Sequence, residues 1–334
     1  MRFGVGLPTC REGTAYPTPY VRPGDFERIA RQAEALGFDS LWANDHLTTP
    51  RVMQATLERP PSFYEPLVTF ASLAAVTERL RFVLSVVVVP EREPVLLAKQ
   101  LATLDELSGG RVVLGVGIGA YREEFEAVHP HRVGANRGAM LDEGIRALRQ
   151  LFEAEAPTSF EARHVAFREV ELAPKPRQRP FPIYVNADSE IGLDRVARLG
   201  DGWIVSAPTP TGLRQARAGL ADRATQAGRD PNAISVNVQI WIVLGRDQAD
   251  AEARLRRSQH FRRLVASGQD PRAVVNEFRV RNLLGSPDEI VDQLRAFQEA
   301  GADHIGLIFL GQTVDELLAD VDAFAQHVLP ALNG

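Results

Sequence analysis

Short apolar runs alternate with longer amphipathic segments along the whole chain. Each run predicts a buried strand, and the apolar residues between runs recur at helical spacing. The predicted strands cover residues 3–7, 38–42, 81–89, 111–117, 183–186, 203–206, 235–244 and 304–310. Eight strand–helix units without a linker-like break predict an α/β fold, a (β/α)8 TIM barrel. A doubly wound sheet is the alternative, but no glycine-rich phosphate fingerprint follows the first strand.

The predicted helices lie between these strands, and two late ones carry clear start signals. They cover about 24–37, 65–78, 94–107, 136–152, the stretch after 206 up to about 227, and 249–265. Ser286 and Thr313 each precede a Glu by three residues, which predicts a capping box at both helix starts. A faint repeat, in which a helix end is followed by Gly, Asp and a strand, recurs at 34–42, 197–205 and 299–307.

We expect a single TIM-barrel domain over residues 1–334, with insertions near 48–62, 120–135, 157–180 and 267–283. The third insertion contains a predicted hairpin at 158–160 and 164–167. The polar stretch 267–283 follows no periodicity, so no element is predicted there.

Composition narrows the function classes. The chain is 45% hydrophobic and 24% charged, with a net charge of −5 and no long run of like charges. This pattern disfavours nucleic acid as a partner. The single cysteine, Cys10, excludes an internal disulfide. The N-terminus lacks a secretory pattern and the apolar runs are too short for a bilayer, so we expect a cytoplasmic protein without a membrane partner.

Polar residues directly after predicted barrel strands are the candidates for chemistry, because TIM-barrel sites lie at that end. Asn44-Asp45-His46 follows the second strand, where an imidazole oriented by a neighbouring Asp is able to move protons. The same triplet is equally typical of a solvated loop that caps a helix. Cys10 follows the first strand without an evident His partner, which favours a structural thiol.

Two further segments follow strands four and five. Glycines at 115, 117 and 119 permit close approach of a flat cofactor or a phosphate, and Tyr121 beside them offers a ring and a hydroxyl. The 186–189 segment starts a helix whose free N–H groups suit a phosphate. A tight strand end, a rim aromatic and a plain helix cap are the structural alternatives. No metal site is predicted from His129 and His131, because no third ligand has suitable spacing.

Several stretches together resemble the bacterial luciferase-like monooxygenase family, which comprises flavin- and deazaflavin-dependent TIM barrels. The matching stretches cover 33–46, 94–119, 123–127, 137–152, 197–203 and 283–305. The resemblance implies an isoalloxazine-type ring at the carboxyl end of the barrel. It also implies a bulged third strand behind the ring, with a non-proline cis peptide at Ser85–Val86.

The resemblance also assigns roles to residues. It implies that Asp45 and His46 contact the cofactor and handle protons, with His46 as the acid or base. The ring edge and phosphate side fall to Ile118, Gly119 and Tyr121, and the phosphate and ribityl segment to 187–189. The cofactor-binding residues predicted altogether are Asn44, Ser85, Val86, Ile118, Gly119, Tyr121, Asn186, Ala187, Asp188 and Ser189.

The resemblance implies an F420-dependent oxidoreductase that transfers a hydride between the deazaflavin and a small organic substrate. The block at 94–111 looks more like the F420-dependent branch. The alternatives are a two-component FMN monooxygenase with a separate flavin or F420 reductase, and a non-catalytic flavin-binding barrel. Ala120 stands where related sugar-phosphate dehydrogenases carry a Glu, so that substrate is not expected. Segments 48–62, 120–135 and 267–283 are expected to enclose the substrate, and a homodimer is expected by resemblance.

Overall fold

Parallel strands close into a barrel in the computed structural model, which describes residues 1–54 and 57–333. The strands are β1 (Arg2–Gly6), β2 (Ser40–Ala43), β3 (Arg81–Val88), β4 (Val112–Gly117), β5 (Thr158–Glu161), β6 (Ala166–Val170), β7 (Ile183–Asn186), β8 (Gly202–Ser206), β9 (Ser235–Leu244), β10 (Leu283–Gly285) and β11 (His304–Phe309). Around the barrel the order is β1-β2-β3-β4-β7-β8-β9-β11, and β11 pairs with β1. The predicted TIM barrel is confirmed.

Helices surround the barrel and cover the outer face of its strands. They are α1 (Pro23–Ala35), α2 (Arg51–Gln54), α3 (Pro66–Ala74), α4 (Pro94–Ser108), α5 (Arg122–Val128), α6 (Arg137–Glu153), α7 (Glu190–Leu199), α8 (Pro210–Gln226), α9 (Gln248–Arg257), α10 (Gln259–Ala266), α11 (Pro271–Arg281), α12 (Pro287–Glu299), α13 (Val314–His327) and α14 (Leu329–Asn333). In the part of the chain that the structure describes, none of them combines the length and apolar character that a bilayer crossing needs.

Several helices and strands that are not part of the eight barrel units lie in the predicted insertions. β5 and β6 form the expected antiparallel hairpin. The second insertion contains α5, and the first contains α2, although residues 55 and 56 of that insertion lie outside the described residues, as does residue 334.

Three details of the predicted elements differ in the structure. The helix expected at 249–265 is two helices, because the Ser258 side chain accepts the Phe261 N–H and caps α10. The 267–283 stretch, where no element was predicted, forms α11 and leads into β10, which pairs with the end of β9. The expected capping box at Thr313 is incomplete, because the Glu316 carboxylate accepts the Gln312 N–H instead of the Thr313 N–H. The box at Ser286 is confirmed.

A layer of large side chains fills the barrel below the carboxyl ends of the strands. Trp42, Val83, Val113, Tyr184 and Ile204 are buried together inside the barrel. The indole of Trp42 lies so close to β11 that a Cβ on Gly306 would come within 2.4 Å of it. Glycine at this position therefore makes room for the large residue on the facing strand. The layer is the floor on which the candidate site stands.

Candidate functional site

A cavity of about 390 Å³ opens at the carboxyl ends of the barrel strands. Such a volume lies in the range of about 300–1,000 Å³ that is usual for small-molecule sites. The structure brings to it nearly all of the residues that sequence reasoning singled out: Asn44, Asp45, His46, Ser85, Val86, Ile118, Gly119, Asn186, Ala187, Asp188 and Ser189. Four segments distant in sequence therefore converge on one space.

His46 is held by a carboxylate from α5. Its Nδ1 lies 2.9 Å from Oε2 of Glu124, a buried residue of α5. The other oxygen of Glu124 accepts the Thr48 N–H at 3.2 Å. A carboxylate at this distance fixes the orientation of the ring and favours a proton on Nδ1. Glu124, and not the neighbouring Asp45, is thus the hydrogen-bond partner of the imidazole.

Asp45 serves a different set of contacts. Its two oxygens accept bonds from Arg92, at 2.7 and 3.1 Å, and one of them also accepts the Val88 N–H at 3.2 Å. The same guanidinium reaches Glu65 at 2.9 Å. Burial opposes the charge of Arg92, but the two carboxylates outweigh it and raise the pKa of Arg92. This buried network ties the end of β2 to the end of β3.

Polar side chains span the base of the cavity from β1 to β3. Arg11 donates to Oε1 of Gln239 at 3.0 Å, and Nε2 of Gln239 donates to the Ser85 hydroxyl at 3.0 Å. Burial lowers the pKa of Arg11. Because Ser85 accepts a bond from Gln239, its own hydroxyl hydrogen is available for another partner. Sequence reasoning missed Arg11 and Gln239.

Strand β3 is irregular beside this chain of polar groups. Its pairing with β4 shifts between Leu84 and Val87, and the Ser85–Val86 peptide is cis, as the resemblance implied. Val86 packs over Gly117 of β4, where a Cβ would come within 2.6 Å of its side chain. The glycine run after the fourth strand therefore makes room for the bulged strand.

The remaining wall is the start of α7. The Ser189 hydroxyl accepts the Gly192 N–H and caps this ten-residue helix. Arg195, one turn further on, lines the cavity and forms an ion pair with Asp142. A helix N-terminus followed by an arginine is a favourable environment for an anion. The side chain of Asn186 is turned to the barrel and donates to the Ile204 carbonyl at 3.1 Å.

Three carboxylates, those of Asp45, Glu91 and Glu124, lie close together near His46. Burial, together with the charges of Glu124 and Asp45, raises the pKa of Glu91 to about 8. One of its oxygens is buried and has no hydrogen-bond partner in the part of the chain that the structure describes. Glu91 is therefore mostly neutral at pH 7, which limits the negative charge beside Gly119.

Tyr121 is the predicted cofactor residue that the structure places apart. It lines a second cavity, of about 330 Å³, together with residues of α2 and α10. Its ring centroid lies 6.0 Å from that of His46, and Phe63 lies 5.5 Å from His46 on another side. Tyr121 is thus next to the imidazole but faces the adjoining space.

Cys10 is buried below the site and its thiol lies 3.5 Å from the Tyr64 carbonyl. Burial, with the charge of Asp45 as the next contribution, raises the pKa of the thiol to about 12. We expect the native protein to be inert to a disulfide reagent such as DTNB at pH 8, because the thiolate is the reactive form. The urea-unfolded chain, with its one cysteine, should release one equivalent of thionitrobenzoate. A native reaction as fast as that of the unfolded chain would contradict this assignment.

His129 and His131 lie outside the first cavity, with ring centroids 5.9 Å apart. Among residues 1–54 and 57–333, no group of three or more His, Cys, Asp or Glu side chains is arranged to hold a metal ion.

The sequence is similar to those of known proteins. A model of the luciferase-like monooxygenase family matches residues 1–304. The chain belongs to this family. The FMNH2-dependent dimethylsulfone monooxygenase of Pseudomonas putida is 26% identical over 303 residues, which is 81% of this chain and 79% of the relative.

Solved structures agree with the assignment. Monooxygenase RslO1 from Streptomyces bottropensis superposes with a TM-score of 0.82 and 25% identity, covering 99% of this chain and all of the other. An F420-dependent secondary alcohol dehydrogenase, solved with an F420–acetone adduct, superposes with a TM-score of 0.80 and 21% identity over 99% and 98%. The chain is therefore an enzyme of the flavin- or F420-dependent oxidoreductase and monooxygenase type.

Proposed function

We propose that the protein is an F420-dependent oxidoreductase that transfers a hydride between the deazaflavin and a small organic substrate. The observation that carries this proposal is the convergence of a held imidazole and a slot of mixed polarity in one cavity. His46, bonded to Glu124, lies on one wall, and the Ser85 hydroxyl lies at the base. Proton handling beside a flat cofactor is what an alcohol–carbonyl interconversion requires.

The lining suits a tricyclic ring. Val86 on the bulged strand and Ile118 at the mouth supply apolar surface, and Ile118 remains 40% exposed in the protein alone. At the base, Arg11, Gln239 and Ser85 offer hydrogen-bond donors suited to the carbonyl groups of a pyrimidinedione. We assign the ring to the space between these two sets of residues.

The start of α7 suits the cofactor's phosphate. The first N–H groups of the helix are those of Glu190 and Ile191, and Arg195 follows on the same wall. Neither Ala187 nor Gly192 carries a side chain large enough to block approach. Asp188 lines the same cavity, and burial raises the pKa of its carboxyl, although the Ser206 backbone opposes the shift. An anion at this helix end is stabilised by the helix dipole.

The bound deazaflavin would supply or accept the hydride. In that reaction His46 holds or releases a proton at Nε2, since Nδ1 is occupied by Glu124. Glu124 fixes the orientation of the imidazole ring through its bond to Nδ1. Asp45, predicted to be catalytic with His46, instead positions the loop through Arg92.

A second candidate is an FMN-dependent two-component monooxygenase supplied by a separate reductase. The FMNH2-dependent dimethylsulfone monooxygenase supports it, since that relative matches over most of the chain. The imidazole–carboxylate pair and the 94–111 block favour the F420 reaction. A cytoplasmic homodimer is part of the same proposal.

Titration of the purified protein with F420 and with FMN tests the choice. We expect F420 fluorescence to be quenched with a Kd at least about tenfold lower than that for FMN, equivalent to about 1.4 kcal/mol. The Gly192→Ala variant, whose added Cβ would come within 2.8 Å of the Ala187 side chain, should weaken binding of either cofactor. Gly24→Ala is the matched control, because a Cβ there meets nothing within 4 Å.

Tighter binding of FMN, with oxygen consumption when an FMN reductase is supplied, would establish the monooxygenase instead. Binding of neither cofactor would overturn both assignments. Cofactor binding without turnover of any alcohol, carbonyl or oxygenation substrate would favour the non-catalytic barrel.

A further inference from the structure

We propose that the second cavity, next to Tyr121, binds the acidic group of an organic anion, so that the substrate is a carboxylate or sulfonate with an apolar body. This inference rests on the proposed function and deepens it by naming the substrate class. Tyr121 lines this cavity of about 330 Å³, and its ring neighbours that of His46, which lines the first cavity.

The second cavity is apolar over most of its wall. Its apolar lining comes from the first insertion and from the end of α10, and consists of Val52, Met53, Leu57 and Ala266. Surface of this kind binds a hydrocarbon body through removal of apolar area from water. The lining alone would therefore accept many neutral molecules.

Two arginines change that preference. Arg262 and Arg263 both line the cavity, and none of the described residues that line it is acidic. Arg262 donates to the neutral Gln312 side chain at 2.9 Å. The Nε of Arg263 is buried and has no hydrogen-bond partner among the described residues. Two guanidinium groups, with no carboxylate among the described residues of the lining, are complementary to an anion.

The neighbourhood does not neutralise this charge. Burial, followed by the charge of Arg263, lowers the pKa of the adjacent His260 to about 3, so this ring is neutral at pH 7. The adjoining surface groove is lined by one acid, Glu58, and by two bases, Arg59 and Arg262, so its net charge is also positive. The positive charge of the second cavity is thus left for a ligand.

The position of the second cavity links it to the reaction. Tyr121 lines it, and the ring of Tyr121 lies 6.0 Å from that of His46 on the wall of the first cavity. A substrate anchored by its acidic group at Arg263 would therefore extend past Tyr121 toward His46. The anchor selects the substrate and leaves its other end for the chemistry.

Calorimetric titration with octanoate, octanesulfonate and the neutral octanamide tests the proposal on the protein without added cofactor. We expect both anions to bind about tenfold more tightly than octanamide, since a charged hydrogen bond has about this effect. Arg263→Gln should abolish the preference and Arg262→Gln should reduce it, while Arg263→Lys should retain part of it. Arg272→Gln on α11 makes the same charge change on an exposed residue and should leave the preference intact.

Equal binding of octanoate and octanamide, or an anion preference that persists in Arg263→Gln, would overturn the inference. These results are independent of the cofactor titration. An anion preference in a protein that binds neither F420 nor FMN would leave a ligand site standing and refute the proposed function. Cofactor binding without an anion preference would refute this inference and leave the proposed function standing.

Discussion

Replacement of His46 by alanine is expected to lower kcat by about two to four orders of magnitude, the usual contribution of a positioned acid or base. The imidazole is held by Glu124 at 2.9 Å and lines the cavity assigned to the cofactor. The Kd for the cofactor should change by less than about threefold, because the ring and phosphate contacts assigned above come from other residues. Steady-state kinetics and fluorescence titration on the same preparation check both parts.

Glu124→Gln is the informative companion to this variant. The amide keeps one oxygen that can accept the Nδ1–H bond, but its NH2 group replaces the oxygen that accepts the Thr48 N–H, and the negative charge is lost. We expect a smaller loss in kcat, of about tenfold to a hundredfold, together with a changed pH profile. Full activity in His46→Ala, or a pH profile of Glu124→Gln identical to that of the wild type, would exclude the proton-handling role.

Replacement of Arg92 by methionine is expected to lower the free energy of unfolding by about 3–5 kcal/mol. The change leaves the Asp45 carboxylate, which is almost fully buried, without its cation, and removing one partner of a buried pair has this cost. Urea unfolding followed by circular dichroism measures the loss. The double variant Asp45→Asn/Arg92→Met should recover part of it, because the buried Asp45 charge is then removed, whereas Glu65 still lacks its partner.

Arg31→Met is the matched control for this prediction. Its partner Glu27 lies one turn away on α1, and both side chains are about half exposed. Such surface pairs contribute about 1 kcal/mol or less. A cost for Arg92→Met no greater than that for Arg31→Met would show that the buried network does not hold the ends of β2 and β3 together.

The barrel could be predicted because its strands are short apolar runs between amphipathic helices. A break inside a helix is harder to see, since α9 and α10 together have continuous helical spacing and only the Ser258 cap divides them. Strand β10 was hidden for another reason. It has three residues and is paired only with the far end of β9, so no periodicity can develop.

The candidate site could be predicted where its residues directly follow a barrel strand, because TIM-barrel sites lie at that end of the strands. That rule locates segments 44–46, 117–119 and 186–189, all of which line the first cavity. Contacts that cross the barrel do not follow from sequence spacing, so Glu124 was missed as the partner of His46. Gln239 had a signal that was not used. Together with Ser235 and Asn237 it alternates with apolar residues along β9, which indicates a polar face on this strand.

The packed layer around Trp42 also determines the order in which molecules enter and leave the site. Trp42, Val83 and Ile204 close the axis of the barrel, so the first cavity is reached from the carboxyl ends of the strands and not through the barrel. The molecule that binds deepest in the cavity must therefore bind first and dissociate last through the same opening. Catalytic turnover would then follow a compulsory sequence, with the redox partner seated before its reactant and the product released before the redox partner is exchanged.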